Sequence, residues 1–313
     1  MSRPILVSLL GSKEIGKDLA KKGTSSDITL YNRVQGDLAF TYIEPTQFPE
    51  KFPPLLVSLA IGRQVILAVD TVGRDLAEAI VTADLAGKTE GLLALAPSVG
   101  EEDVRRILKG TRLEKVPAVP LDPKAITSVV EGWASPSADG EAAVPVDHIF
   151  PVKGVGTVAL GVVKSGTVKV HDRLRLYPSE RSVEVRSIQV HDVDVPEASA
   201  GSRVGLALKG VEAEEVSRGE VLAPNDTLRV ADTVEISGYA SCRFFKGKAG
   251  EGDHVHLSVG LQVVPAKIQQ VDGDRLTLSS DRPLVVLPGD RGFVLQLSGT
   301  GTGPRVAGAG IVH

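Results

Sequence analysis

The feature that most restricts the fold is a change of period near residue 146. Before it, apolar runs alternate with segments whose apolar residues recur at three and four; after it, short alternating β runs are separated by Gly-rich turns. The first pattern predicts strands at Ile5–Leu10, Leu38–Ile43, Gln64–Val69, Gly91–Ala96 and Val116–Leu121. Helices are predicted at Pro49–Ile61, starting near Pro53 and Pro54, at Asp75–Ala86 closing on Gly87, at Glu101–Lys109 and at Pro123–Trp133. Alternating β and α units mean a doubly wound parallel sheet. Residues 134–145, small, polar and with two prolines, read as a linker. The second pattern fits two small closed β barrels. One holds Val146–Gly166, Val168–Leu176, Val185–Val190, Ala200–Leu208 and Arg218-Gly219; the other holds Val255–Val259, Gln262–Ile268 and Pro283–Arg291. The expected class is therefore α/β plus all-β, with domains at 1–138, 146–225 and 230–313.

At the end of the first strand stands Gly11-Ser12-Lys13-Glu14-Ile15-Gly16-Lys17-Asp18. It follows the phosphate-binding pattern G-x-x-x-x-G-K-[ST] up to the last residue, where Asp18 puts a carboxylate in place of the hydroxyl that ligates Mg²⁺. With 33 glycines a bare G-x4-G-K arises by chance in roughly one such chain in five, so its meaning depends on the rest of the chain. Only Lys17 to Gly23 is left for a first helix, about one and a half turns. A ligand crevice in such a sheet lies at the strand ends, where Gly11–Asp18, Glu44–Phe48 and Ala96–Val99 all fall.

Charge narrows the partners. Residues 1–140 carry 16 basic and 18 acidic side chains and residues 141–313 carry 19 and 21, so each half nets minus two. Neither half is a polycation, which argues against non-specific nucleic-acid binding by counterion release while leaving room for a local basic face. The single cysteine, Cys242, permits no internal disulfide and no cysteine zinc site, as suits a reducing cytosol. No signal peptide is evident and no apolar run reaches about 18 residues, so a cytoplasmic protein away from membranes is expected.

The second half then supplies a resemblance. Residues 146–222 carry D-x-x-F-x-V-K-G-x-G-T-V, a later K-V-x-x-x-D, V-R-S-I-Q, A-G-x-R-V-G-L and R-G. This series resembles the second domain of the translational GTPases of the elongation factor Tu group. Residues 253–312, with V-P-A-K-I, R-P-L-V-V-L-P-G-D-R and the closing Gly308-Ala-Gly-Ile-Val312, resemble the third domain of the selenocysteine-specific elongation factor. The similarity covers nearly the whole chain, is strongest in the second domain and weakest in the first, and implies a G-like first domain.

On that resemblance Gly11 to Lys17 matches the family's first motif except at Asp18. Lys22-Gly-Thr-Ser-Ser-Asp27 resembles the R-G-I-T-I-D of switch I, with Ser25 where the metal-ligating Thr would stand. Glu44-Pro-Thr-Gln47 takes the place of D-x-x-G without its glycine, and Phe48 that of the catalytic His. Ala96-Pro-Ser-Val99 sits where N-K-x-D selects guanine and leaves no carboxylate for the base. Asp70-Thr-Val-Gly73 is the alternative D-x-x-G. The nucleotide-binding remnant thus comprises Gly11, Gly16, Lys17, Asp18, Ser25 and Glu44, with no catalytic residue, no metal site and no cofactor expected.

In the family the second domain grips the aminoacyl end of tRNA. The positions matching the selenocysteine pocket are Asp147, His148 and Arg203, of which His148 departs from the pattern. The plainer alternative has Asp147 capping a turn and Arg203 pairing with a nearby carboxylate. Arg243, Lys246 and Lys248 around Phe244-Phe245 are candidate RNA contacts, set against packing of the two aromatics. His254 and His256 share a strand face but lack a third metal ligand. The expected protein is a pseudo-GTPase that binds tRNA, the ribosome or another translation component through its barrels. The alternatives are a working GTP-binding factor with unconventional motifs and a regulator that docks on a protein.

Overall fold

The computed structural model describes residues 3–13, 15–135, 137, 139–297 and 303–313. Glu14 of the loop and Pro136 and Ala138 of the linker lie outside the described residues. The first strand, β1 (Arg3–Gly11), is buried on both faces from Val7 back to Ile5 and on to Leu10, as a central parallel strand must be. Its odd side chains Ile5, Val7 and Leu9 enter a core shared with α1 (Ile15–Leu19) and α5 (Pro123–Val130). On the opposite face Ser8, fully buried, donates its hydroxyl to the Ser58 carbonyl at 2.8 Å on α2 (Pro53–Ile61), so a polar group in the sheet centre is satisfied.

The remaining elements are β2 (Lys21–Ser25), β3 (Thr29–Gln35), β4 (Leu38–Glu44), β5 (Gln64–Val69), α3 (Arg74–Leu85), β6 (Gly91–Leu95), α4 (Glu101–Leu108) and β7 (Ala118–Pro120). The sheet order is β2-β3-β4-β1-β5-β6-β7, parallel from β4 to β7. The doubly wound sheet expected from the alternation is present. Residues 17–23, left for a short first helix, are helical only to Leu19, and two strands that no apolar run announced, β2 and β3, follow within residues 21–35. The antiparallel hairpin β3–β4 turns at Gly36-Asp37, with Gly36 at φ +61, which a two-residue hairpin favours. The edge of β7 is shorter than its apolar run, and α5 stops three residues before Trp133, whose ring packs into the same core.

By packing, the chain divides into two units: Met1–Ser135 with Ser241–Lys246 and Leu297–Val306, and Pro136–Ala240 with Gly247–Gln296 and Ala307–His313. In the second unit, one six-stranded ring runs Arg173–Tyr177, Val221–Ala223, Val144–Val152, Gly156–Val162, Arg203–Lys209 and Arg181–Val190, and closes on its first strand. The other runs Arg229–Ser241, Arg275–Val286, Gln262–Asp272, His254–Val259, Arg291–Leu295 and Val306–Val312. The strand expected over Pro283–Arg291 instead ends at Val286. Asp290 there closes a turn, taking the Leu287 amide on its carboxylate at 3.1 Å while its own amide donates to the Leu287 carbonyl at 3.0 Å. Between the rings Ala143, Tyr177, Val221 and Ala223 pack on Val285 and Leu287, and Lys164 pairs with Asp290.

Candidate functional site

The loop after β1 is held by its own glycines. Gly11 sits at φ +102, and a Cβ there would run into the Ala68 carbonyl of β5. Ser12 donates its amide to that same carbonyl at 2.7 Å. Gly16 lies under the ring of Tyr31, where a Cβ would come within 2.5 Å of ring carbons. Tyr31 is buried, so the ring has little room to yield. Gly16→Ala is therefore expected to cost about 1–3 kcal/mol by overpacking, measurable as a lower denaturation midpoint at unchanged slope. Lys17 and Asp18 both face solvent on the five-residue α1.

The segment resembling switch I and the Glu44-Pro-Thr-Gln47 turn are joined directly to each other. Tyr31, on β3, donates its hydroxyl to Glu44 Oε2 at the end of β4 at 3.2 Å, and Glu44 is buried. The Ser25 hydroxyl meets that of Thr29 at 3.0 Å, and Thr29 meets that of Thr46 at 2.6 Å. The Gln47 amide donates to the Asp27 carbonyl at 2.9 Å. A chain of hydroxyls thus runs from Ser25 to the Glu44-Pro-Thr-Gln47 turn. Phe48 is a core residue, tilted on Phe52 with centroids 6.4 Å apart. Ala96–Val99 forms a tight turn after β6, the Val99 amide donating to the Ala96 carbonyl at 3.0 Å.

In the Asp70-Thr-Val-Gly73 segment after β5, Asp70, Thr71 and Gly73 line a cleft of about 200 Å³ with Gly11, Lys13, Phe48 and Asp75. That cleft lies where strand order reverses between β1 and β5, the usual place for a ligand in an open α/β sheet.

Asp147 and Arg203 come together. Asp147 is the extra residue of a β-bulge between Val146 and His148, which turns its side chain toward Arg203. Arg203 grips it with two bonds, Nη1 to Oδ2 and Nη2 to Oδ1, the latter 2.9 Å, and His148 Nδ1 lies 2.5 Å from Oδ1. Both side chains of the ion pair are buried. Burial pushes the Asp147 carboxyl up, but the Arg203 guanidinium and the bonds from His148 and Arg203 outweigh it and hold the group below the usual carboxylate range. The carboxylate near Arg203 in the plainer alternative is Asp147 itself.

Arg243 lies 4.6 Å from the Phe244 ring centroid and donates to the Lys109 carbonyl at 3.4 Å. Phe244 is 47 % exposed, whereas Phe245 is half-buried. Lys246 and Lys248 are exposed. His254 is exposed and His256 half-buried, and among the described residues no three His, Cys, Asp or Glu side chains are grouped to hold a metal ion. No helix among the described residues is long and apolar enough to cross a membrane.

One arrangement escaped the sequence. Arg305 clasps the buried Glu78 of α3 through Nε at 3.1 Å and Nη2 at 2.6 Å, donates from Nη1 to the Pro49 carbonyl at 2.8 Å, and lies over Phe48 and Phe52. The available signal was Glu78, a carboxylate between Leu76 and Ala79 on the apolar side of an amphipathic helix.

A parallel-sheet G-like domain followed by two closed six-stranded barrels is the architecture of elongation factors of the Tu type. Residues 156–223 match the family described as elongation factor Tu domain 2. An uncharacterized protein of Methanocaldococcus jannaschii, MJ0325, is 37% identical over 293 residues, covering 92% of this chain and 93% of its own. The selenocysteine-specific elongation factor of Desulfomicrobium baculatum is 27% identical over 99% of this chain, which spans 56% of the factor's length. Among solved structures, translation elongation factor SelB from Methanococcus maripaludis with the GTP analogue GppNHp gives a TM-score of 0.86 at 23% identity, covering all of this chain and 79% of that one. At that identity the likeness is one of fold. The chain belongs with MJ0325 to one family of the translational GTPase superfamily and is SelB-like.

Proposed function

We propose that the protein is a SelB-like pseudo-GTPase that neither holds nor hydrolyses GTP and binds tRNA or another translation component through its barrels. The observation that carries this is the bonding between the segment resembling switch I and the Glu44-Pro-Thr-Gln47 turn. The Ser25 hydroxyl, where the family's metal-ligating Thr stands, is taken up by Thr29, which is in turn bonded to Thr46. Glu44 is buried against Tyr31, and no glycine ends its turn to read a γ phosphate. Asp18 adds a negative charge where the phosphates would lie, and Ala96–Val99 offers no carboxylate to a guanine. These residues do not fit a magnesium nucleotide. Each missing charge-assisted bond is worth about 1.5–3 kcal/mol, so the loss of metal, γ-phosphate and base contacts removes most of the ~8 kcal/mol of a micromolar complex. The name elongation factor borne by its relatives supports a partner in translation.

Titration with a fluorescent GTP analogue is expected to show no Mg²⁺-dependent binding at low-micromolar concentration, and co-sedimentation with total tRNA or ribosomes is expected to retain the protein. Saturable Mg²⁺-dependent binding sinks the first half, and recovery as free protein from both mixtures sinks the second.

A further inference from the structure

We infer that Phe244 and Arg243, with Lys246 and Lys109 beside them, form a stacking platform for an unpaired base of a single-stranded RNA. This deepens the reading of a translation-component binder and rests on it for the identity of the partner. Phe244 is a large apolar ring left 47 % exposed, while its neighbour Phe245 is half-buried and Cys242 buried, so the turn turns its packing residues inward and presents one ring outward. The guanidinium of Arg243 lies over this ring. It donates to the Lys109 carbonyl at 3.4 Å and stays 4.6 Å from the ring centroid, so ring and cation are held together before any ligand arrives.

The turn is also backed by a neighbouring segment. Gly303 packs against the Phe244 carbonyl and the Lys246 amide so closely that a Cβ would come within 2.9 Å of the former. Arg74 donates to the Gly303 carbonyl at 2.9 Å. The exposed ring therefore stands on a braced turn.

The charges around it favour an anion. Lys109, Lys115, Arg243 and Lys246 are exposed, and residues 241–250 contain no acid. Of the acids on the segments adjoining Lys109, Asp84 is paired with Arg112 at 3.1 Å, and Glu114 is turned onto the Gly110 amide at 2.8 Å. An exposed ring that carries a guanidinium and has lysines around it recognises a base by its flat surface and a strand by its charge rather than a base by its edge. That is the signature of sequence-tolerant single-strand binding. A duplex, whose bases are stacked on one another, offers the ring no face.

The probe is a single-stranded oligoadenylate of about 10 nucleotides, compared with a duplex of equal charge. Phe244→Trp supplies a reporter, since the chain's own tryptophan, Trp133, is buried. The single strand is expected to quench the new fluorescence and the duplex to leave it unchanged. Phe244→Ala is expected to weaken oligonucleotide binding roughly 10-fold to 100-fold while Phe244→Trp keeps it, which separates stacking from misfolding. Arg243→Gln is expected to weaken binding and flatten its salt dependence. Equal affinity of Phe244→Ala and the parent chain overturns the inference, as does binding without quenching, or loss of a protein partner but not of RNA on Phe244→Ala. Failure of tRNA and ribosome co-sedimentation with oligonucleotide quenching intact removes the translation partner and leaves the platform standing.

Discussion

Arg203→Met is expected to lower the free energy of unfolding by about 3–5 kcal/mol at neutral pH, because it strands the buried Asp147 carboxylate without its cation. The pair has two nitrogens on two oxygens and no access to water for the acid, so without the guanidinium Asp147 keeps only His148, 2.5 Å from Oδ1. The double change Asp147→Leu with Arg203→Met removes both charges from the interior, and most of the loss is expected to return, since desolvating the pair has itself a cost of several kcal/mol. The pH dependence follows from the depressed carboxyl of Asp147. A group whose folded value lies below its unfolded one, about 3.9, adds stability above that value and loses it as pH falls through the folded one. The gap between the parent chain and Arg203→Met is therefore expected to be widest at neutral pH and to narrow as pH falls, first where the variant's stranded acid, pushed up by burial, takes its proton and last where the parent's depressed carboxyl does. Urea unfolding at neutral and acid pH measures it. A gap under 1 kcal/mol at neutral pH, or one that ignores acid, would show that water reaches the pair.

The parallel α/β sheet and the presence of two barrels were legible, the sheet because burial on both faces writes a parallel strand as an unbroken apolar run, as at Gln64–Val69, where every residue is buried. The strand β3 was not, because its sequence Thr-Leu-Tyr-Asn-Arg-Val-Gln mixes apolar and polar residues and lies partly open to water, with Val34 56 % exposed. Its one local signal was the Gly36-Asp37 turn. With β3 unseen, Tyr31 had no place, and the bond that ties it to Glu44 and covers Gly16 could not be anticipated. Asp147 and Arg203 were singled out by resemblance, but their union depends on a bulge, and a bulge is a property of register between two strands rather than of either sequence. The same limit applies more strongly to Arg305 and Glu78, which are 227 residues apart.

That last pair should behave as a keystone of the unit that contains both residues. Arg305 satisfies the Glu78 carboxylate with two side-chain nitrogens and its own backbone amide, the latter at 2.7 Å, and its plane lies 4.9 Å from the Phe52 centroid and 5.6 Å from that of Phe48. Arg305→Ala leaves a carboxylate that is 3 % exposed with one neutral donor, and the expected loss is about 3–5 kcal/mol. Arg305→Lys is expected to recover only part, because an ammonium cannot span both oxygens and the Pro49 carbonyl or lie flat on two rings. Glu78→Gln with Arg305→Met, which removes both charges while keeping the apolar stem over Phe48 and Phe52, is expected to fall between the parent and Arg305→Ala. Amide exchange locates the effect: protection should drop first at Arg305 and in the first turns of α3, since the Arg305 amide is anchored only while Glu78 is held. Exchange at those amides that stays at the parent rate in Arg305→Ala would mean that the rings and the Pro49 carbonyl, rather than the ion pair, secure the segment. The charge would then be incidental to a contact made by shape.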